Sequence, residues 1–214
     1  MKITDLNVVY ICPNHNDKYQ KRKVYMDAFL ASNGFKNVVH YTSSSESYPN
    51  CLSLATIDIL KMYMDEPVLI IEDDVGITHL ADFDFIPDAD AIYFGLSKWA
   101  GHATENHFEG HSKFETYSKN QVRVINMLST HAILYISRAY KEAIINSMNK
   151  AIQTKSYNDV MMSRIQSKFQ VLANIVPTFY QSLQFNQGQT DPHNNVETST
   201  KIAIDPDTLA VRQI

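Results

Sequence analysis

Hydrophobic positions along the 214-residue chain fall into short solid runs and longer, spaced stripes. "NVVYIC" (7–12) is a solid β-branched run stopped by Pro13, the pattern of a buried strand. After the polar stretch "PNHNDKYQ", Val24, Phe29 and Leu30 fall on one side of a helix over about 20–33, which Gly34 in "NGF" closes. "NVVHYT" (37–42) predicts a second strand, and "CLSLATIDILKMYM" (51–64) an amphipathic helix ended by "DEP". "VLIIED" (68–73) predicts a third strand, apolar on both faces as strands inside parallel sheets are. The first 75 residues therefore read β-α-β-α-β, the plan of a Rossmann-like half.

The second half is less regular. "DAIYFGLS" (90–97) and "HAILYIS" (131–137) predict strands, and "RAYKEAIINSMNKAI" (138–152) a helix. "NDVMMSRIQSKF" (158–169) predicts another helix, with Asn158 or Asp159 as its N-cap, and "QVLANIVP" (170–177) a last strand. Residues 100–121 are polar and poor in aliphatics, so they read as a long loop or a small exposed hairpin. His102, His107 and His111 in this stretch lack the i,i+4 spacing of a helical zinc site, and the segment reads as a mobile lid that orders over a ligand. A polar tail, "NQGQTDPHNNVETST", precedes "IAIDPDTLAV". No repeat or linker divides the chain, so the expectation is one α/β domain built on a mixed, mostly parallel sheet flanked by helices.

Charge narrows the partners. Nineteen Lys and Arg stand against 23 Asp and Glu, and the only basic cluster is Lys21-Arg22-Lys23 with Lys18 nearby. That argues against a nucleic-acid surface and against a polybasic membrane face. Cys12 and Cys51, both in apolar contexts, form no disulfide framework and fit a reducing compartment. The amino terminus lacks a signal-peptide layout, and no apolar run approaches the roughly 20 residues of a membrane span. The expected location is cytoplasmic.

The chemistry concentrates at "VLIIEDDV", where buried aliphatics run straight into Glu72, Asp73 and Asp74. Ligands bind α/β sheets at the carboxyl ends of strands. Three like charges there repel one another, and burial of any of them without a partner costs several kcal/mol. A hard divalent cation, Mn²⁺ or Mg²⁺, meets the need, and alternation along an extended segment points Glu72 and Asp74 the same way. Phosphoacceptor receiver domains also carry an acidic cluster, but theirs ends the first strand and the accepting Asp follows two units later. Here no Asp occurs between Asp90 and Asp159.

The order of motifs resembles GT-A glycosyltransferases, and more closely the lipopolysaccharide-type and procollagen-type galactosyltransferase family. "NCLSLATIDIL", "LIIEDDV", "AIYFGLS", "HAILYISRAYKEAI" and "YNDVMM" carry the resemblance, over about residues 7–181. Two positions depart from the family pattern: Leu54 stands where a His is usual and Asn50 where a Gly is usual. The small size and Asn/Lys/Tyr-rich composition are also similar to the nucleotide-sugar-binding domain that chlorella viruses encode for capsid glycans, which would place the chain in host cytoplasm.

The resemblance implies a nucleotide-binding half over 1–97 and an acceptor half with a C-terminal loop over 98–214. It implies a metal-dependent hexosyltransferase, inverting, that moves a sugar from a UDP-sugar to a glycan or glycoprotein acceptor. Asp74 is then a metal ligand, with Glu72 or Asp73 as the second and His193 of "TDPHNN" as a third. The remaining acid bonds the ribose. Arg22 reaches a phosphate, or else lies on a solvated helix face. Asn14, Tyr41 and Thr42 lie where base and ribose belong, and Gly95 ends a strand at the same edge. Trp99 lines a sugar site or simply packs. Asp159 is the base that takes the acceptor proton, or a helix cap, or both. Two other functions use the same residues: a metal-dependent hydrolase of nucleotides or sugar phosphates, and a non-catalytic nucleotide-sugar-binding module.

Overall fold

The computed structural model describes residues 2–44, 47–80, 88–182 and 201–214. The chain opens with strand β1 (Asn7–Ile11), helix α1 (Asp17–Ser32), strand β2 (Asn37–Tyr41), helix α2 (Asn50–Met62) and strand β3 (Val68–Glu72). The β-α-β-α-β expectation is therefore met. Helix α1 begins three residues earlier than its apolar stripe suggests, because the Asn16 side chain accepts the Tyr19 amide and caps it. Gly34, at φ +80°, reverses the chain after it.

Short strands β4 (Val75–Ile77) and β5 (Ala91–Tyr93) follow. The polar stretch is two hairpins: β6 (Trp99–Gly101) with β7 (Phe108–His111), and β8 (Lys113–Thr116) with β9 (Gln121–Asn126). Strand β10 (Ala132–Tyr135), helices α3 (Arg138–Thr154) and α4 (Asn158–Gln166), and strands β11 (Val171–Asn174) and β12 (Phe179–Gln181) come next. A closing hairpin pairs β13 (Ile202–Ile204) with β14 (Val211–Gln213).

Eight strands form one sheet in the order β2-β1-β3-β10-β5-β11-β9-β8. Strands β1, β2 and β3 pair in parallel, as do β5 and β11. Strand β10 runs against β3 and β5, and β9 against β11 and β8. Six of the eight strands thus point the same way, so the sheet is mixed and mostly parallel. Alternation sends Val9, Ile11, Val68 and Ile70 to the face covered by Ile59, Tyr140, Ile144 and Met162 of α2, α3 and α4. Val8, Tyr10, Leu69 and Ile71 meet Met26 and Leu30 of α1 on the other face. Each such aliphatic contributes about 2 kcal/mol by leaving water.

One buried cation belongs to this scaffold. Lys141 of α3 is 0 % exposed. Its Nζ donates to the carbonyls of Tyr63, Glu66 and Met64, at 2.7, 2.6 and 3.4 Å, just beyond the end of α2. It caps that helix end with a full positive charge. Both cysteines are free. Among the described residues no helix is long and apolar enough to cross a membrane.

Candidate functional site

The carboxyl ends of β1, β3, β5 and β11 share one rim of the sheet, and the antiparallel β10 begins there. Helices α1, α2 and α4 each precede or follow these strands so that their amino ends open on the same rim. The acidic triplet leaves β3 at this rim.

Each acid has a different setting. Asp73 and Asp74 are 7 % and 8 % exposed. Arg22 Nη1 donates to Asp73 Oδ1 at 2.7 Å, and Arg22 Nη2 lies 3.8 Å from Asp74 Oδ2. Arg22 is itself buried, so the solvated-face reading of this residue is excluded. Asp73 Oδ2 is buried and accepts no hydrogen bond. The nearby Cys12 thiol is raised in pKa by burial and by the Asp73 charge, but it faces the carbonyls of Pro13 and Tyr19. Glu72 accepts from Thr130 Oγ1 at 2.5 Å and, at 3.4 Å, from Gln181 Nε2. Burial, then the charges of Asp74, Asp73 and Asp159, push Glu72 from 4.5 up to about 8, against the pull of Thr130. Carboxylates offer the oxygen ligands that Mn²⁺ or Mg²⁺ prefers, although among the described residues these three acids do not form a ready-made ligand cluster. Glu72, Asp73 and Asp74 are the residues that could hold it.

Asp159 stands in the first turn of α4 and shares a field with Glu72. Burial raises its pKa, partly offset by the Val160 amide that bonds Oδ1 at 2.8 Å. The N-cap of α4 is Tyr157 rather than Asn158 or Asp159. Asn158 is diverted inward, where Ser53 Oγ of α2 donates to its Oδ1 at 2.7 Å. Asn106 Oδ1 accepts the Tyr157 amide at 2.8 Å, and Arg164 donates to the carbonyls of Glu105 and His102. The turn between β6 and β7 is therefore pinned to α4, whereas the polar composition suggests a free lid.

The other residues singled out by sequence are spread more widely. Asn14 and Thr42 are exposed at the ends of β1 and β2. The Tyr41 hydroxyl donates to Asp58 Oδ2 at 2.8 Å, which fixes the ring against α2. Trp99 packs with Phe108 and His111, under the Lys98 ammonium. Gly95 faces the buried His131 ring, and a Cβ at position 95 would fall 1.8 Å from Nε2. His193 lies outside the described residues.

Thr130, Gln181 and the Ser53–Asn158 pair escaped the sequence pattern. Thr130 reaches Glu72 only because β10 runs antiparallel, and strand direction leaves no mark on an apolar run. His102, Glu105 and His107 offer ligand atoms within 4.8 Å of one another. Nδ1 of His102, however, already accepts the Thr104 and Glu105 amides.

No protein-family model and no curated protein matches the chain. Several solved structures are similar in fold. The A197 protein from STIV is 13% identical with a TM-score of 0.46, over 97% of this chain and 94% of that one. UDP-glucose pyrophosphorylase complexed with UDP-glucose is 9% identical with a TM-score of 0.45, over 81% and 75%. A glycosyltransferase involved in the glycosylation of the major capsid of PBCV-1 is 11% identical with a TM-score of 0.40, over 71% of each chain. At these identities and TM-scores the likeness carries nothing further.

Proposed function

We propose that the chain is a metal-dependent glycosyltransferase of GT-A type, moving a sugar from a UDP-sugar to a glycan or glycoprotein acceptor. The observation that carries this reading is the crowding of carboxylates at the end of β3: burial and the neighbouring acids drive Glu72 to about 8, and Asp73 Oδ2 is buried without a hydrogen-bond donor. A strand end so arranged is stabilised by a cation, and a cation held by carboxylates recruits a diphosphate.

In this reading Asp74 and Glu72 hold Mn²⁺ or Mg²⁺. Bound there, the cation would neutralise charge developing on the departing diphosphate. Asp73, fixed by Arg22, turns its free oxygen to the ribose hydroxyls. Arg22 keeps the two aspartates in place and adds positive charge on the phosphate side. Asn14 and Thr42, exposed on the β1–β2 side of the rim, face the nucleoside. Asp159 takes the acceptor proton. Its raised pKa makes it a better base than an ordinary carboxylate, as general-base catalysis near neutral pH requires. Attack from the Asp159 side, opposite the leaving UDP, inverts the anomeric carbon.

Calorimetric titration of UDP and GDP, each with and without Mn²⁺, into wild type and Asp74→Asn tests the reading. UDP should bind only with Mn²⁺, and the variant, folded by circular dichroism, should lose at least about tenfold in affinity, or ~1.4 kcal/mol. Metal-independent binding, or none, rejects it. Release of UDP that depends on an added glycan then separates transfer from hydrolysis and from simple binding.

A further inference from the structure

Two large aromatic side chains stand exposed at the starts of α2 and α4. Tyr48 is 67 % exposed and Tyr157 is 46 % exposed. Their ring centroids lie 6.1 Å apart with the planes tilted by 43°. Both rings have rigid bases. Tyr48 stands two residues before α2, and Tyr157 is the N-cap of α4. The two helix starts are tied by the Ser53–Asn158 bond, and the Tyr157 amide is held by Asn106. Aromatic surface this exposed, at two tied helix starts and two residues from Asp159, adds little to the stability of the fold.

We propose that Tyr48 and Tyr157 form the seat for a neutral sugar ring, the acceptor subsite of the enzyme described above. The proposal rests on that functional reading for the word acceptor, but the sugar site stands on its own geometry. Sugar rings carry an apolar C–H face that packs on aromatic rings, and a rim of hydroxyls that donate to carboxylates. Both complements are present. Although most of Tyr48 is exposed, its hydroxyl has a raised pKa, from burial first and then from the charges of Asp159 and Glu72. The hydroxyl thus feels the field of these acids while much of the ring faces water. Asp159, ionised when it acts as a base, disfavours an anionic ligand, because a carboxylate or phosphate group here would meet like charge. The occupant is thus a neutral hexopyranose rather than an acidic sugar. In the functional reading the nucleotide belongs on the side of Arg22, which bonds Asp73 and lies beside Asp74. An acceptor hydroxyl on the tyrosine flank comes within reach of Asp159, two residues along from Tyr157.

Saturation-transfer NMR on the full chain tests this, with methyl glucoside, methyl galactoside, methyl mannoside and glucuronate as probes at millimolar concentration. At least one neutral glycoside should receive saturation through aromatic protons, and glucuronate none. Tyr48→Ala and Tyr157→Ala should each weaken that binding about tenfold, while Tyr48→Phe and Tyr157→Phe retain most of it. Both tyrosines are exposed, and an unchanged backbone spectrum verifies folding. Mn²⁺-dependent UDP affinity, measured alongside, should stay within about twofold in all four variants. No glycoside binding to wild type, binding indifferent to both alanine variants, or equal binding of glucuronate overturns the proposal. If glycosides bind through the tyrosines but UDP does not bind with Mn²⁺, the sugar seat stands and the transferase reading fails.

Discussion

Lys141 and the Glu72–Asp74 segment both carry formal charge into the interior, at opposite rims of the same sheet. The ammonium of Lys141 has three protons and three carbonyl acceptors, and burial lowers its pKa only to about 8. Glu72 has neighbours of its own sign and a pKa raised to about 8, and Asp73 keeps one buried oxygen without a donor. The contrast separates two uses of buried charge. A charge whose hydrogen-bonding capacity is matched within the protein is part of the scaffold. A charge set against its neighbours stores unfavourable energy that an incoming cation can release.

The contrast can be broken from either side. The largest effect belongs to Lys141→Ala. It strips the donor from three carbonyls at the end of α2 and opens a cavity, so the protein should lose about 3–5 kcal/mol in chemical denaturation. The folded fraction should keep its Mn²⁺-dependent nucleotide affinity. A loss below about 1 kcal/mol would mean that Lys141 is not structural.

Glu72→Gln should do the opposite. Removing one of the repelling charges should stabilise the metal-free protein by about 1 kcal/mol at neutral pH while weakening Mn²⁺ binding. The pH dependence gives the sign. Glu72 holds its proton up to about pH 8 when folded but only to about 4.5 when unfolded, so between these values the folded state binds more protons. The stability of the metal-free wild type is therefore favoured below 4.5 and falls as pH rises toward 8. Denaturation curves across that window should show a shallower fall in Glu72→Gln, and an identical slope would remove Glu72 from the account. The smallest effect is expected for Lys23→Ala. The Lys23–Asp27 ion pair, at 2.6 Å, is solvent-exposed, and its loss should change stability by no more than about 0.5 kcal/mol.

Much of this is visible in the residues themselves. The runs at 7–12 and 68–73 announce central strands because such strands are buried on both faces and leave no room for polar residues. The acids after β3 announce a site because nothing in the local sequence compensates them. The hairpins β6–β7 and β8–β9 are hidden for the converse reason. Most residues of β7 and β8 face solvent, so no apolar alternation marks them. The α4 cap reads wrongly because Asn158 is committed to Ser53, 105 residues earlier, and only the folded sheet brings them together. Arg22 is legible as a basic residue near the site. Its bond to Asp73 is not, since that depends on α1 lying along β3. Tyr48 belongs to no pattern and Tyr157 only opens "YNDVMM"; their proximity is wholly tertiary.

The antiparallel course of β10 has a consequence for how the chain is made. Synthesis delivers Glu72 first and Thr130, its hydrogen-bond donor, 58 residues later. At roughly 5–20 residues per second the acids wait on the order of several seconds, hydrated and mutually repelling, beside an open edge of β3. Only when β10 slides between β3 and β5 is that edge closed and Glu72 drawn out of water. Strand β10 thus closes the edge of β3 and brings the Glu72 donor in one step, while β11, made later, must still pair with β5 and β9 before the sheet is complete.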